Sequence, residues 1–170
     1  MTSFNIENTK TFMSKLLKSD MFDNFEVRSF IVTTFTTFEI HCDYNKDFFT
    51  DIIEEEREQR KICIWKDIKN YAFDIIKGNK LPKSIKIIFS ASDELRDTIY
   101  TNSKAMFINI IFEEGKLKAV TGFSQKEFTL DKTGEYEWDK YVEEFFHNNN
   151  IISTRDWWVL NLSWLLIFRC

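Results

Sequence analysis

One proline and four glycines in 170 residues leave this chain few places where regular structure must stop. That scarcity excludes collagen-like, linker-like and proline-rich segments, which need those residues in quantity. Cysteine is sparse: Cys42, Cys63 and Cys170 lie far apart, are odd in number and form no CxxC pair. A disulfide framework or a zinc site is not expected, and reduced thiols fit a cytoplasmic protein. The two histidines, His41 and His147, are isolated from each other. No GxxxxGK[ST], GxGxxG or HExxH run occurs, so nucleotide hydrolysis and zinc proteolysis have no support. The opening MTSFNIENTK lacks a basic segment followed by an apolar run, so it does not read as a secretory signal. No cofactor and no metal are expected.

Positive charge is also short. Lys and Arg number 23 against 27 Asp and Glu, a net charge of −4, and the basic residues are spread along the chain. A nucleic-acid binder more often carries a basic excess or a basic cluster, so nucleic acid is not an expected partner. What the chain does have is apolar mass: 44% of its residues, including 18 Phe. Phe buries a large area with two rotatable bonds, so few positions fill a thick core. Length and composition together indicate one domain with its own core.

Periodicity places the elements. Phe4 to Ile6 reads as a short strand. Asn8 to Lys18 reads as a helix with Phe12, Met13, Leu16 and Leu17 on one stripe and Asn8 as N-cap. Glu26 to Cys42 is β-branched and aromatic, and its length suggests two strands with a bend among the threonines. Ile52 to Arg60 reads as a charged helix with a solvated face. Trp65 to Ile76 is an amphipathic helix, closed by Gly78 and Pro82. Ser84 to Ala91 alternates as a strand, and Ser92 caps a short helix to about Tyr100.

Ala105 to Phe112 is apolar on both faces, which predicts a central strand covered on both sides. Glu113 to Lys116 is a hairpin turn with Gly115 free to take positive φ, and Leu117 to Phe123 and Lys126 to Leu130 complete a three-strand meander. Trp138, Tyr141, Val142, Phe145 and Phe146 repeat at helical spacing and should lie across the sheet. The expected fold is α+β, an antiparallel sheet covered by helices.

The halves before and after residue 80 share an order of elements, strand, helix, strand, strand, with a further strand in the second. They read as pseudo-repeated βαββ(β) units, similar in hydrophobic rhythm to those of DNA sliding clamps. Asp93, Glu94 and Asp97 outnumber Arg96 on the second helix, however, and would repel phosphate. Separately, TTFTTF at Thr33 to Phe38, IKGNKLP at Ile76 to Pro82, TGFSQKEFTLDK at Thr121 to Lys132 and the following Trp138 carry a resemblance. Over residues 1 to about 147 the chain resembles an uncharacterised bacterial protein family, a domain of unknown function. The resemblance implies a single cytoplasmic α+β domain and supplies no activity.

Two places could carry chemistry. Glu39 and His41 share one strand face, where a carboxylate could orient an imidazole. Thr121, Ser124 and Lys126 gather hydroxyls and a cation around one turn, as a small-anion site would. Ordinary strand and turn chemistry needs the same residue types. Cys42 adjoins His41, but neighbouring strand residues point to opposite faces. No catalytic residue is assigned.

Residues 1–150 are expected to hold every sheet element and covering helix, with 151–170 as a Trp-rich apolar tail. Its apolar run, between Asp156 and Arg169, is too short for a spanning helix, which needs about 20 residues. The tail fits an added packing segment, an interfacial anchor or a non-native extension, and its lack of lysine favours the last. The expected role is a non-enzymatic interaction or accessory domain with a protein partner or self-association, and with membrane contact only through the tail. The alternatives are a small-anion binder or enzyme using the Thr121 to Lys132 turn, and a clamp-like protein associated with nucleic acid.

Overall fold

The computed structural model describes residues 1–45, 48, 61–78 and 80–156. Among the described residues the strands are β1 (Ser3–Ile6), β2 (Glu26–Thr33), β3 (Thr37–Ile40), β4 (Ser84–Ser90), β5 (Ser103–Glu113), β6 (Lys116–Gln125) and β7 (Ser153–Arg155). Among the described residues the helices are α1 (Thr9–Lys18), α2 (Trp65–Ile76), α3 (Asp93–Ile99) and α4 (Thr133–Asn148). The strands form one seven-stranded sheet in the order β3-β2-β4-β5-β6-β1-β7. Every neighbouring pair is antiparallel, so the fold is α+β with an open antiparallel sheet.

Local chemistry sets the boundaries. Asn8 caps α1 by accepting the Thr11 N–H at 2.9 Å, and Ser92 caps α3 by accepting from Leu95. The β2–β3 hairpin bends among the threonines, where the Thr34 N–H donates to Thr36 O at 2.8 Å. The β5–β6 hairpin turns at Glu114 and Gly115, whose φ values of 51° and 76° are both left-handed, the geometry that suits a two-residue hairpin. Gly134 opens α4 where a methyl group cannot fit: a Cβ there would lie 2.5 Å from both Phe123 Cζ and Tyr100 Cδ1.

The core lies on one face of the sheet. Val27, Phe30 and Val32 of β2, Ile85, Ile87 and Phe89 of β4, and Met106, Ile108 and Ile110 of β5 are all nearly or wholly buried there. Leu117 and Ala119 of β6 continue the same face. A bulge between Val27 and Ser29 keeps Val27 and Phe30 on that side although they are three residues apart. The helices supply Phe12, Leu16, Trp65, Ile68, Ala72, Trp138, Val142 and Phe146. Phe22 stacks on Phe89 with ring centroids 4.7 Å apart, and Trp138 Nε1 donates to Phe107 O at 3.0 Å.

Four expectations change. β5 is central, but the described residues cover only one of its faces; Phe107, Asn109 and Ile111 on the other are half-buried. Residues 126–130 form a loop rather than a third strand, with Phe128 and Leu130 each 90% exposed. The pseudo-repeat fails on pairing. β4, β5 and β6 are consecutive neighbours, whereas β1 lies between β6 and β7, away from β2 and β3. β4 occupies the edge of β2 that β1 would need, and the sliding-clamp analogy falls with the repeat. The sheet also continues past residue 150. β7 pairs with β1, and Arg155 holds Glu143 of α4 through two hydrogen bonds while lying 5.6 Å from the Phe4 ring. The charged helix expected over residues 52–60 and the tail from 157 lie outside the described residues.

Candidate functional site

The sequence-predicted site residues do not converge. Glu39 lies on the edge strand β3 and His41 just after it, both exposed. Thr121 is on β6, four strands away, a separation of roughly 19 Å at normal inter-strand spacing. Thr121 is 1% exposed on the covered face, where its hydroxyl donates to Asp139 Oδ1 and accepts the Thr2 N–H at 2.7 Å. Thr2 Oγ1 donates to the other Asp139 oxygen at 2.6 Å, so this hydroxyl-carboxylate cluster fastens β1 to β6 and α4.

Lys126 donates to Thr101 O at 2.9 Å and stands 3.5 Å from Asp97. Its loop is organised around Asp131, which accepts from the Thr133 N–H and hydroxyl at 2.9 and 2.6 Å and from the Tyr100 hydroxyl at 3.1 Å. The Thr133 hydrogen bonds hold the Asp131 carboxyl below its usual range, and the bond to Asp131 pushes the Tyr100 phenol up. A charged carboxylate inside this turn opposes a second anion there.

The face of the sheet that the described residues leave uncovered is where side chains gather. Register places Glu39, Ile31, Lys86, Ile111 and Lys118 in one row across β3, β2, β4, β5 and β6. Ser29, Ile88, Asn109 and Val120 form the next row, and Ser90, Phe107 and Gly122 the one after. A depression of about 650 Å³ opens here, lined by Arg28, Ile88, Lys104, Ala105, Phe107, Asn109 and Ser124. Its floor is apolar, and both charged residues in its lining are cations. Arg28 is fixed by Ser90 Oγ at 2.8 Å and Glu26 Oε2 at 2.9 Å, and Ser90 donates to the same Glu26 oxygen, so this rim is built in advance. Of the five predicted site residues, Ser124 lines the depression and Glu39 lies at the far margin of the same face.

Sequence reasoning missed this site because it read β5's two apolar faces as double coverage. The signal was available in the neighbours: Lys86 and Lys118 fall on the Phe107 side of their strands, which a second buried layer would not accept without partners.

The structure also brings together two cysteines that are far apart in sequence. Cys42 and Cys63 face each other on adjacent antiparallel segments, with the Cys63 N–H donating to Cys42 O at 2.8 Å. Both are free thiols; Cys42 is buried and Cys63 half-buried. Burial, with Cys63 and Asp43 nearby, pushes the Cys42 thiol up to about 12, and burial also raises Cys63. Among the described residues no group of three or more His, Cys, Asp or Glu is placed to hold a metal ion. None of the described helices is long and apolar enough to cross a membrane.

No curated protein and no solved structure matches the chain. A family profile does match, over residues 15–153, from within α1 to the first residue of β7. The chain therefore belongs to DUF5721, a family of unknown function.

Proposed function

We propose that this protein is a non-enzymatic interaction domain, and that the uncovered sheet face docks an acidic protein segment carrying aliphatic or aromatic side chains. The observation that carries this reading is the depression around Phe107: an apolar floor of Ile88, Ala105 and Phe107 rimmed by Arg28 and Lys104. Half-buried Ile31, Ile111 and Val120 extend the apolar surface beyond it. A contiguous apolar patch with a polar rim is the common form of a protein-binding surface. The rim cations steer carboxylates and fix register, while the apolar floor supplies burial.

Charge favours an acidic partner over a second copy, since two such faces brought together would oppose the cations of one rim to those of the other. Nucleic acid is disfavoured because Glu39 and Glu113 lie on this face, and because its floor is mainly aliphatic and offers bases little to stack on. A cytoplasmic setting, read from the sparse, unpaired cysteines of the sequence, belongs to the same proposal.

Selection of a displayed random-peptide library on the full chain tests it. The expected winners combine Asp or Glu with Leu, Ile, Phe or Trp, and lose at least tenfold in affinity against Lys104→Glu. Winners that bind Lys104→Glu as well as wild type would overturn the reading. So would a stable dimer broken by Lys104→Glu, or tighter binding of a mixed-sequence oligonucleotide than of any peptide.

A further inference from the structure

Residues 61–64 are held between two neighbours. On one side Asp43 and Ile62 form an antiparallel bridge, with Cys63 N–H to Cys42 O at 2.8 Å and Tyr44 N–H to Lys61 O at 3.0 Å flanking it. On the other side Cys63 O accepts the Val27 N–H at 2.9 Å, and the Trp65 N–H donates to Phe25 O at 2.9 Å. Cys42 and Cys63 are therefore directly opposite in register, one residue along from the bridged pair. Cys63 shares its backbone between the two neighbours, its N–H turned to Cys42 and its C=O to Val27, so the two cysteines meet through one hydrogen bond rather than a reciprocal pair. The thiols lie near enough for Cys63 to act on Cys42 electrostatically, and the backbone on both sides of Cys63 is already fixed.

We propose that Cys42 and Cys63 are a reversible dithiol, oxidised to an intrachain disulfide by low-molecular-weight disulfides of the glutathione type. Cys63, the more accessible of the two, loses its proton to solvent, and its thiolate attacks one sulfur of the small disulfide. This forms a mixed disulfide and expels one small thiolate. Cys42 then loses its proton and attacks Cys63 Sγ, forming the Cys42–Cys63 bond and expelling the second small thiolate. Both expelled thiolates take up protons. In sum, two protein thiols are oxidised by two electrons and one small disulfide is reduced to two thiols.

Burial raises both thiols above their ordinary range, so little thiolate exists at neutral pH and the exchange is slow. The link closes a ring over residues 42–63 and ties the end of the β3 segment to the residue before Ile64, at the start of α2. The inference is independent of the docking face, which lies on the opposite side of the sheet from buried Cys42.

The test uses the full chain with Cys170→Ser, equilibrated natively in glutathione buffers from fully reduced to fully oxidised. Remaining thiols are then blocked with iodoacetamide. The expected result is loss of both alkylation sites together, a mass about 2 Da below the reduced chain before blocking, and one proteolytic fragment joining the peptides of Cys42 and Cys63. Adding Cys63→Ser should leave Cys42 without a small-thiol adduct under the same native conditions, since Cys42 is buried. Independent loss of the two thiols would overturn the proposal. So would glutathione adducts on both, no loss in the fully oxidised buffer, or a link that forms only in denaturant.

Discussion

The two faces of the central strand have the same length and nearly the same apolar content, yet they serve different ends. Met106, Ile108, Ile110 and Phe112 are almost wholly buried under the helices. Ala105, Phe107, Asn109 and Ile111, alternating with them, are half-buried and face no layer among the described residues. Burial of a large aliphatic or aromatic side chain contributes about 1.5–3 kcal/mol, so the first set stabilises the fold. The second set keeps much of that free energy unused until something covers it. Apolar alternation alone cannot separate these cases, because it records which side chains avoid water and not what removes them from it.

The largest expected effect belongs to the covered face. Trp138→Ala should cost about 3–5 kcal/mol, because a fully buried indole leaves a cavity and Phe107 O loses the indole N–H. A urea midpoint equal to wild type would break the comparison at once. Gly134→Ala comes next. Its methyl group would overlap the rings of Phe123 and Tyr100, so α4 or both rings must shift, at about 1–3 kcal/mol. Calorimetry checks it, and an unchanged Tm would mean that α4 is not pressed against that corner of the sheet.

Much of this architecture was legible in the sequence. The caps at Asn8 and Ser92, the bend among the threonines, the stop after Ile76 and the Gly115 hairpin are local signals, and each is satisfied by local hydrogen bonds or by the φ at Gly115. Long-range pairing was not legible. Nothing in Ser3–Ile6 says that it will join Lys116–Gln125 rather than Glu26–Thr33, since an antiparallel ladder accepts any partner whose pattern fits. The repeat failed for that reason, and so did the expectation that the sheet ended by residue 150. β7 is three residues long, too short for a periodic signal, and it is secured by Arg155 and Glu143.

The candidate site failed differently. Thr121 was singled out for a small-anion site, but its partners, Thr2 and Asp139, come from distant parts of the chain and give it a structural role. Cys42 and Cys63 escaped notice because register, which opposes them, is invisible in their spacing.

A smaller effect concerns the thiol at the edge of the covered face. Cys42 is raised from its ordinary 9.0 to about 12, so between those values the folded chain keeps a proton that the unfolded chain has lost. Stability from this residue is complete below about pH 9 and falls as pH rises through the window. Comparing wild type with Cys42→Ala cancels the lysines and tyrosines common to both. The wild type should lose about 1 kcal/mol more between pH 8 and pH 10. Parallel urea titrations at the two pH values measure the difference, and identical slopes would place Cys42 in water.

The smallest stability effect is the most telling. Phe107→Ser removes the centre of the apolar floor on the uncovered face, where truncation should cost about 1 kcal/mol or less because no layer among the described residues packs on that ring. Its affinity for a selected acidic-aliphatic peptide, measured by calorimetric titration of folded protein, should fall at least tenfold. That pairing of near-native stability with lost binding is what a docking face predicts. Phe107→Ser unfolding as readily as Trp138→Ala, or binding the peptide as wild type does, would contradict it.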